Sequence, residues 1–212
     1  MIHAKPSATR GTPLTAKERE RFDFAVMANW IGVGERVLDL GCGDGRFLRY
    51  LNEQKGVTGY GVEIDPDSIL GCIRNGVDVI QIDIEGGLSG FEDQSFSHAI
   101  ISQALQTMHS TERILKEMLR VAEEAIVSFP NFAYRANREA IASGHMPVSE
   151  DLPYEWYETP NVRFFTIADF EALCSELDIR IRESLAFDVS GRPVTDDPNL
   201  DGSLAFYRLA RP

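Results

Sequence analysis

Covalent staples and metal ligands are scarce in this sequence. Its three cysteines, Cys42, Cys72 and Cys174, form no CxxC pair, and an odd, scattered set suits neither a zinc site nor a disulfide framework. Reduced packing residues and no bound metal are therefore expected. No apolar run reaches membrane-span length, and the N-terminus shows no signal-peptide core, so a cytoplasmic protein is expected. Positive charge is in short supply: 21 Lys and Arg stand against 33 Asp and Glu, a formal net charge of -12. Such a chain is repelled by phosphate backbones and anionic lipid, which disfavours nucleic acid and membranes as partners. Internal repeats and low-complexity tracts are absent as well. A small molecule or a protein partner remains.

What is present is a long alternation of strands and helices. Residues 1–14, with Pro, Ser, Thr and Gly and no apolar period, read as a loose tail before one domain over 15–212. Thr15 and Glu18 form a capping box for a helix running to Trp30-Ile31, with Phe22, Ala25, Val26 and Trp30 inward. Apolar strands are predicted over 36–40, 58–63, 77–82, 96–101 and 125–129. Helices between them start at Arg46, at Asp65-Pro66 and at Thr111, with Ile69, Leu70 and Ile73 as the inward stripe of the second. These strands are continuous apolar runs, the mark of parallel strands buried on both faces. After Phe129 comes an aromatic- and proline-rich insertion over about 130–165. A helix capped by Thr166 follows, then two strands (179–187 and 204–209) that can pair as a hairpin.

The first strand ends in Asp39-Leu40-Gly41-Cys42-Gly43-Asp44-Gly45, a glycine turn opening a helix. Free N–H groups and the helix dipole make such a turn a cradle for a polar ligand. A dinucleotide fingerprint, GxGxxG, needs glycine where Arg46 stands, so the pattern GxGxG favours a nucleoside without a pyrophosphate. Carboxylates sit at three successive strand ends: Asp39, Glu63 and Asp83. Any one of them alone can also be read as a polar cap, the lesser of the two readings. Together with the turn they converge where open α/β sheets bind ligands. Glu63 is placed to accept from ribose hydroxyls, Ile64 to pack on an adenine face, and Asp83 with Ile84 to meet the adenine edge. Asp39 is placed to order the turn or to meet an ammonium through water.

The stretches 37–45 and 61–65 resemble the class I SAM-dependent methyltransferases (SAM, S-adenosylmethionine). That resemblance implies a doubly wound, Rossmann-like, seven-stranded, mostly parallel sheet with its last strand antiparallel. It also implies SAM or its product S-adenosylhomocysteine at Asp39, Gly41, Cys42, Gly43, Glu63, Ile64, Asp83, Ile84, Ser102 and Gln103. A closer resemblance is to the methionine biosynthesis protein MetW family. It is carried by 76–81, Ser102-Gln103-Ala104-Leu105-Gln106, 117–121, 126–132, Met146-Pro147 and Leu152-Pro153-Tyr154-Glu155-Trp156-Tyr157-Glu158-Thr159-Pro160-Asn161. The chain departs from that family at Ala104, where Thr is expected, at Ala133-Tyr134 for Gly-His, and at His145 for Arg. The family implies a supporting partner of homoserine O-acyltransferase, with SAM as a candidate feedback ligand; a homodimer is left open.

Methyl transfer needs a positioned nucleophile and often a base, and no residue compels that role. Ser102 and Gln103 read as pocket lining, His109 as a solvated loop residue, His98 as a packing residue. Cys42 has no base beside it. The insertion can be a lid over a substrate pocket, a structural flap, or a docking surface built from Asn131, Tyr154, Trp156 and Tyr157 with Arg135, Arg138 and Arg163. The lid reading would make the protein an active small-molecule methyltransferase.

Overall fold

The computed structural model describes residues 13–212, so the expected tail over 1–14 lies outside the described residues except for Pro13 and Leu14. Leu14 is tied down, its N–H donating to the Val189 carbonyl at 3.0 Å. The elements run α1 (Ala16–Ala28), β1 (Arg36–Leu40), α2 (Arg46–Lys55), β2 (Thr58–Glu63), α3 (Pro66–Arg74), β3 (Val79–Gln81), β4 (Phe96–Ser102) and α4 (Thr111–Val121). They continue with β5 (Ala122–Pro130), α5 (Arg135–Ala142), α6 (Ile167–Glu176), β6 (Arg180–Phe187), α7 (Pro198–Asp201) and β7 (Leu204–Ala210). One seven-stranded sheet has the order β3-β2-β1-β4-β5-β7-β6. β7 runs antiparallel to both β5 and β6, and the other pairings are parallel. The last two strands do pair as a hairpin, with β7 inserted between β5 and β6.

The central strands are apolar on both sides because both sides are covered. Leu38, Leu40, Ile101 and Val127 pack with Ile114, Leu115 and Met118 of α4 and Phe170 of α6. Val37, Ile100 and Ile126 face the other way, against Val26 and Met27 of α1 and Phe47, Leu48 and Leu51 of α2. Local signals set the helix starts. Thr15 and Glu18 form the expected box, as do Thr166 and Asp169, and Asp65 caps α3 by accepting from the Ser68 N–H at 2.8 Å.

Four expectations are corrected. Ala25 is exposed, and α1 stops at Ala28; Val26 is buried as expected, with Met27 and Ala28 beside it. Leu70 and Ile73 are 48% and 63% exposed, and α3 buries Cys72. The reason is close packing on the glycine turn, where a Cβ on Gly71 would lie 2.7 Å from that of Asp44. The inward face of α3 is therefore its small-residue face. His98 is no apolar packing residue: its ring sits buried between Glu35, 3.0 Å from Nδ1, and Glu124, 3.4 Å from Nε2. The insertion also holds α5, which the surrounding aromatics and prolines concealed in the sequence.

Candidate functional site

The glycine turn is folded onto the end of β2. The N–H groups of Gly41 and Cys42 both donate to the Val62 carbonyl, at 2.8 and 3.1 Å. Gly41, Gly43 and Gly45 have φ of +72°, +55° and +76°, a region costly for side chains with a Cβ. A Cβ on Gly43 would meet nothing within 4 Å, so the turn opens onto space. Glu63, last residue of β2, clasps that turn. One carboxylate oxygen accepts from Gly43 N–H at 2.9 Å, the other from Ile64 and Asp65 N–H at 2.8 and 3.0 Å. A carboxylate offers about four acceptor sites, so capacity remains on a group locked in position.

Asp39 points from β1 beneath the turn and is 3% exposed. Burial, and then the neighbouring Glu63 charge, push its carboxyl up to about 7 from an ordinary 3.8. No described residue donates a hydrogen bond to it. Asp83 is exposed and caps a one-turn helix over Ile84–Gly86, accepting from the Glu85 N–H at 2.9 Å. Ile64 is 56% exposed and free to meet a ligand face, whereas Ile84 is turned into the core.

Gln103, just past β4, sits at φ +49°. That strained backbone is pinned by two bonds from its N–H, to the Ser128 carbonyl at 2.9 Å and to Ser128 Oγ at 3.1 Å. Its amide donates to Asp23 of α1. Ser102 Oγ lies 3.3 Å from Ser128 Oγ. Ala104 follows closely: its Cβ would stand 3.5 Å from a Cβ on Gly41, so the β4 loop abuts the turn. Asp39, Gly41, Cys42, Gly43, Glu63, Ser102 and Gln103 thus gather at the carboxyl ends of β1, β2 and β4.

Two of the cysteines, scattered in sequence, meet in space. Cys42 and Cys72 sulfurs are 3.7 Å from each other, and the Cys72 thiol donates to the Gly43 carbonyl at 3.1 Å. Both are free, and burial pushes both thiols up, away from nucleophilic reactivity.

Asn131 does not belong to a docking surface. It is fully buried, donates to the Asn199 and Gly202 carbonyls at 3.1 and 2.8 Å, and accepts from Ala133 and Ile167 N–H at 3.1 and 3.3 Å. It brackets the insertion to the last loop. Arg135 and Arg138 serve the same bracket, through Asp201 and through the Ala133 and Asn199 carbonyls. Arg163 holds the His109 carbonyl at 2.9 Å. Tyr154, Trp156 and Tyr157 are 47%, 69% and 68% exposed, with Met146, Val148 and Phe164 exposed in the same insertion. His109 and His145 are exposed too.

Asp23 escaped sequence reasoning because it is a carboxylate: its spacing from Val26 and Trp30 puts it on the inward face of α1, but a charged residue there reads as solvated. It is 4% exposed.

This strand order and glycine turn define a class I methyltransferase fold. Solved structures of SAM-dependent methyltransferases from Mesorhizobium loti (TM-score 0.68, 16% identity, 90% of this chain and 98% of that one) and Archaeoglobus fulgidus (0.65, 16%, 92% and 94%) share it. So does the cyclase SpnF (0.66, 17%, 98% and 89%). The model for methionine biosynthesis protein MetW matches residues 21–209, and the chain belongs to that family. It is 37% identical over 197 residues to the bifunctional methionine biosynthesis protein MetXA/MetW of Rhodopirellula baltica, covering 85% of this chain. The chain spans about a third (32%) of that relative's length.

Proposed function

We propose that this chain binds SAM, or S-adenosylhomocysteine, at the Asp39–Gly43–Glu63–Asp83 crescent and works in the cytoplasm as the partner of homoserine O-acyltransferase. The observation that carries the ligand is Asp39: a buried carboxylate with no donor of its own beside an open glycine turn. An acid so placed is costly unless a cation joins it, and the SAM ammonium is one. The spare acceptor capacity of Glu63 suits ribose hydroxyls, exposed Ile64 suits an adenine face, and Asp83 suits the adenine amino group.

Partnership is supported by the relative that carries the MetXA and MetW names in one chain. The exposed aromatics of the insertion fit a docking surface, since Trp and Tyr dominate interface energetics. They fit a lid less well: the crevice among Tyr154, Trp156 and Phe164 has a volume of only about 20 Å³, and Glu150 alone from the insertion lines the cleft beside the turn. Because SAM is the downstream product of methionine, a SAM-dependent change in acyltransferase activity is expected if SAM binds one state of the pair better. The experiment is acyltransferase activity of the reconstituted pair against SAM concentration. A graded change supports the sensor reading, and a flat response removes it.

A further inference from the structure

Trp156 and its neighbours sit on an arc of chain that is tied down at two feet. At one foot Asp151 is buried and ion-paired with Arg19 of α1, and Arg19 also reaches the Val189 carbonyl at 3.5 Å. At the other foot the N–H groups of Val162 and Arg163 both donate to the Gln106 carbonyl at 3.0 Å. Between the feet the arc bonds to itself: the Glu158 and Thr159 N–H groups donate to the Glu155 carbonyl, at 3.2 and 3.1 Å. Trp156 and Tyr157 meet edge to face with their ring centres 5.6 Å apart. A shift of either foot therefore moves the exposed aromatics with it.

Both feet stand on walls of the cleft beside the glycine turn, which Arg19 lines from α1 and Gln103 from the end of β4. The Gln106 foot is the informative one. Its side-chain amide donates to the Gln103 carbonyl at 2.6 Å, while its own Oε1 is buried with no hydrogen-bond partner. An acceptor buried and unmet is costly, so this turn is not in its best-bonded arrangement. Gln103 adds strain, because residues with a Cβ rarely adopt a φ of +49°. Ala104, next along, abuts the glycine turn through its Cβ, 3.5 Å from where a Cβ on Gly41 would stand. One short turn thus touches the ligand cradle at one end and carries the aromatic arc at the other.

We propose that the arc is a strap through which the glycine turn reports its ligand to the aromatic face. SAM seated on the turn bears on Ala104 and resets the backbone at Gln103. Gln106 follows and carries Val162 and Arg163 with it, so the arc pivots about the Arg19–Asp151 foot. A ligand shifts such an equilibrium only by favouring one arrangement; here the strain at Gln103 and the unmet acceptor of Gln106 are what the new arrangement relieves. The inference rests on the SAM reading and names how occupancy of that site reaches the docking face.

The test reads calorimetry and tryptophan emission together as SAM is added to the full chain. The parent carries Trp30→Phe, which keeps an aromatic ring at a half-buried position and leaves Trp156 as its one tryptophan. Its emission is expected to shift and to saturate at the concentration that calorimetry gives for binding. Gln106→Leu in this parent is expected to bind SAM within about threefold of the parent's affinity and to lose most of the emission shift. Asp151→Asn, which loosens the other foot, is expected to do the same. A parent that binds SAM with no change at Trp156, or folded variants that keep the whole shift, would overturn the strap. So would loss of SAM binding itself in a folded Gln106→Leu, which would make Gln106 a ligand contact. Should Gln106→Leu fail to fold, Asp151→Asn decides on the same terms. A parent that binds no SAM overturns the SAM site and the strap together, and calorimetry alone identifies that case. Failure of acyltransferase docking leaves the result untouched, because the acyltransferase is absent from the assay.

Discussion

Asp39 sets the electrostatics of the turn. Its folded value near 7, against 3.8 for an ordinary carboxyl, means the native state holds a proton that the unfolded chain releases. The stability tied to that proton is fully present below about pH 4 and is lost as pH rises through 7. Holding the ionised form buried costs roughly 4 kcal/mol as an upper bound. Asp39→Asn is therefore expected to raise the melting temperature at pH 8, with the gain shrinking at pH 5.5. Thermal melts at both values check this, and an equal gain at both would contradict it. SAM binding runs the other way: the ammonium needs the ionised acid, so calorimetric affinity is expected to weaken as pH drops from 8 to 6. The placement of Asp39 and Glu63 was legible because a strand end beside a glycine turn fixes where a side chain emerges. The roles of Asn131, His98 and Asp23 were not, because each depends on which distant element packs over it. Asn131, for instance, is bonded to a loop 68 to 71 positions away.

At the scale of elements, Gly59 of β2 pairs with Val37 of β1. Its φ is +155°, and a Cβ there would collide with the Val37 carbonyl. Gly59→Ala is expected to destabilise by on the order of 3 kcal/mol, as overpacked cores do. Chemical denaturation measures it, and an unchanged midpoint would show that the strands can part. The insertion behaves oppositely. Trp156 is 69% exposed, so Trp156→Ala is expected to alter stability by less than about 0.5 kcal/mol. The same variant is expected to lose co-purification with homoserine O-acyltransferase, and retained capture would move docking elsewhere. The strands and helix caps were readable because period and capping chemistry are local. α5 was missed although Arg, Ala and Glu favour helix, because it is only 8 residues long and lies in a segment read as aromatic- and proline-rich. The outward stripe of α3 was misplaced because Gly71 and Cys72, rather than the larger apolar residues, fit against the turn.

At the scale of the molecule, the sheet order and both core layers follow from apolar strands alternating with amphipathic helices, and that much was visible in the chain. Binding and chemistry separate at this level. Proteins of this fold include SAM-dependent methyltransferases and a cyclase, so the architecture provides a place for a nucleoside and leaves the reaction open. Among the described residues no helix is long and apolar enough to cross a membrane. Function at this scale depends on whether the crescent of Asp39, Gly43 and Glu63 holds SAM. Titrating SAM into wild type and Glu63→Ala by calorimetry tests this most directly, with circular dichroism to confirm that both are folded. Saturable binding at one site in wild type, lost in Glu63→Ala, is the predicted result; no binding by wild type, or equal binding by a folded Glu63→Ala, would contradict it.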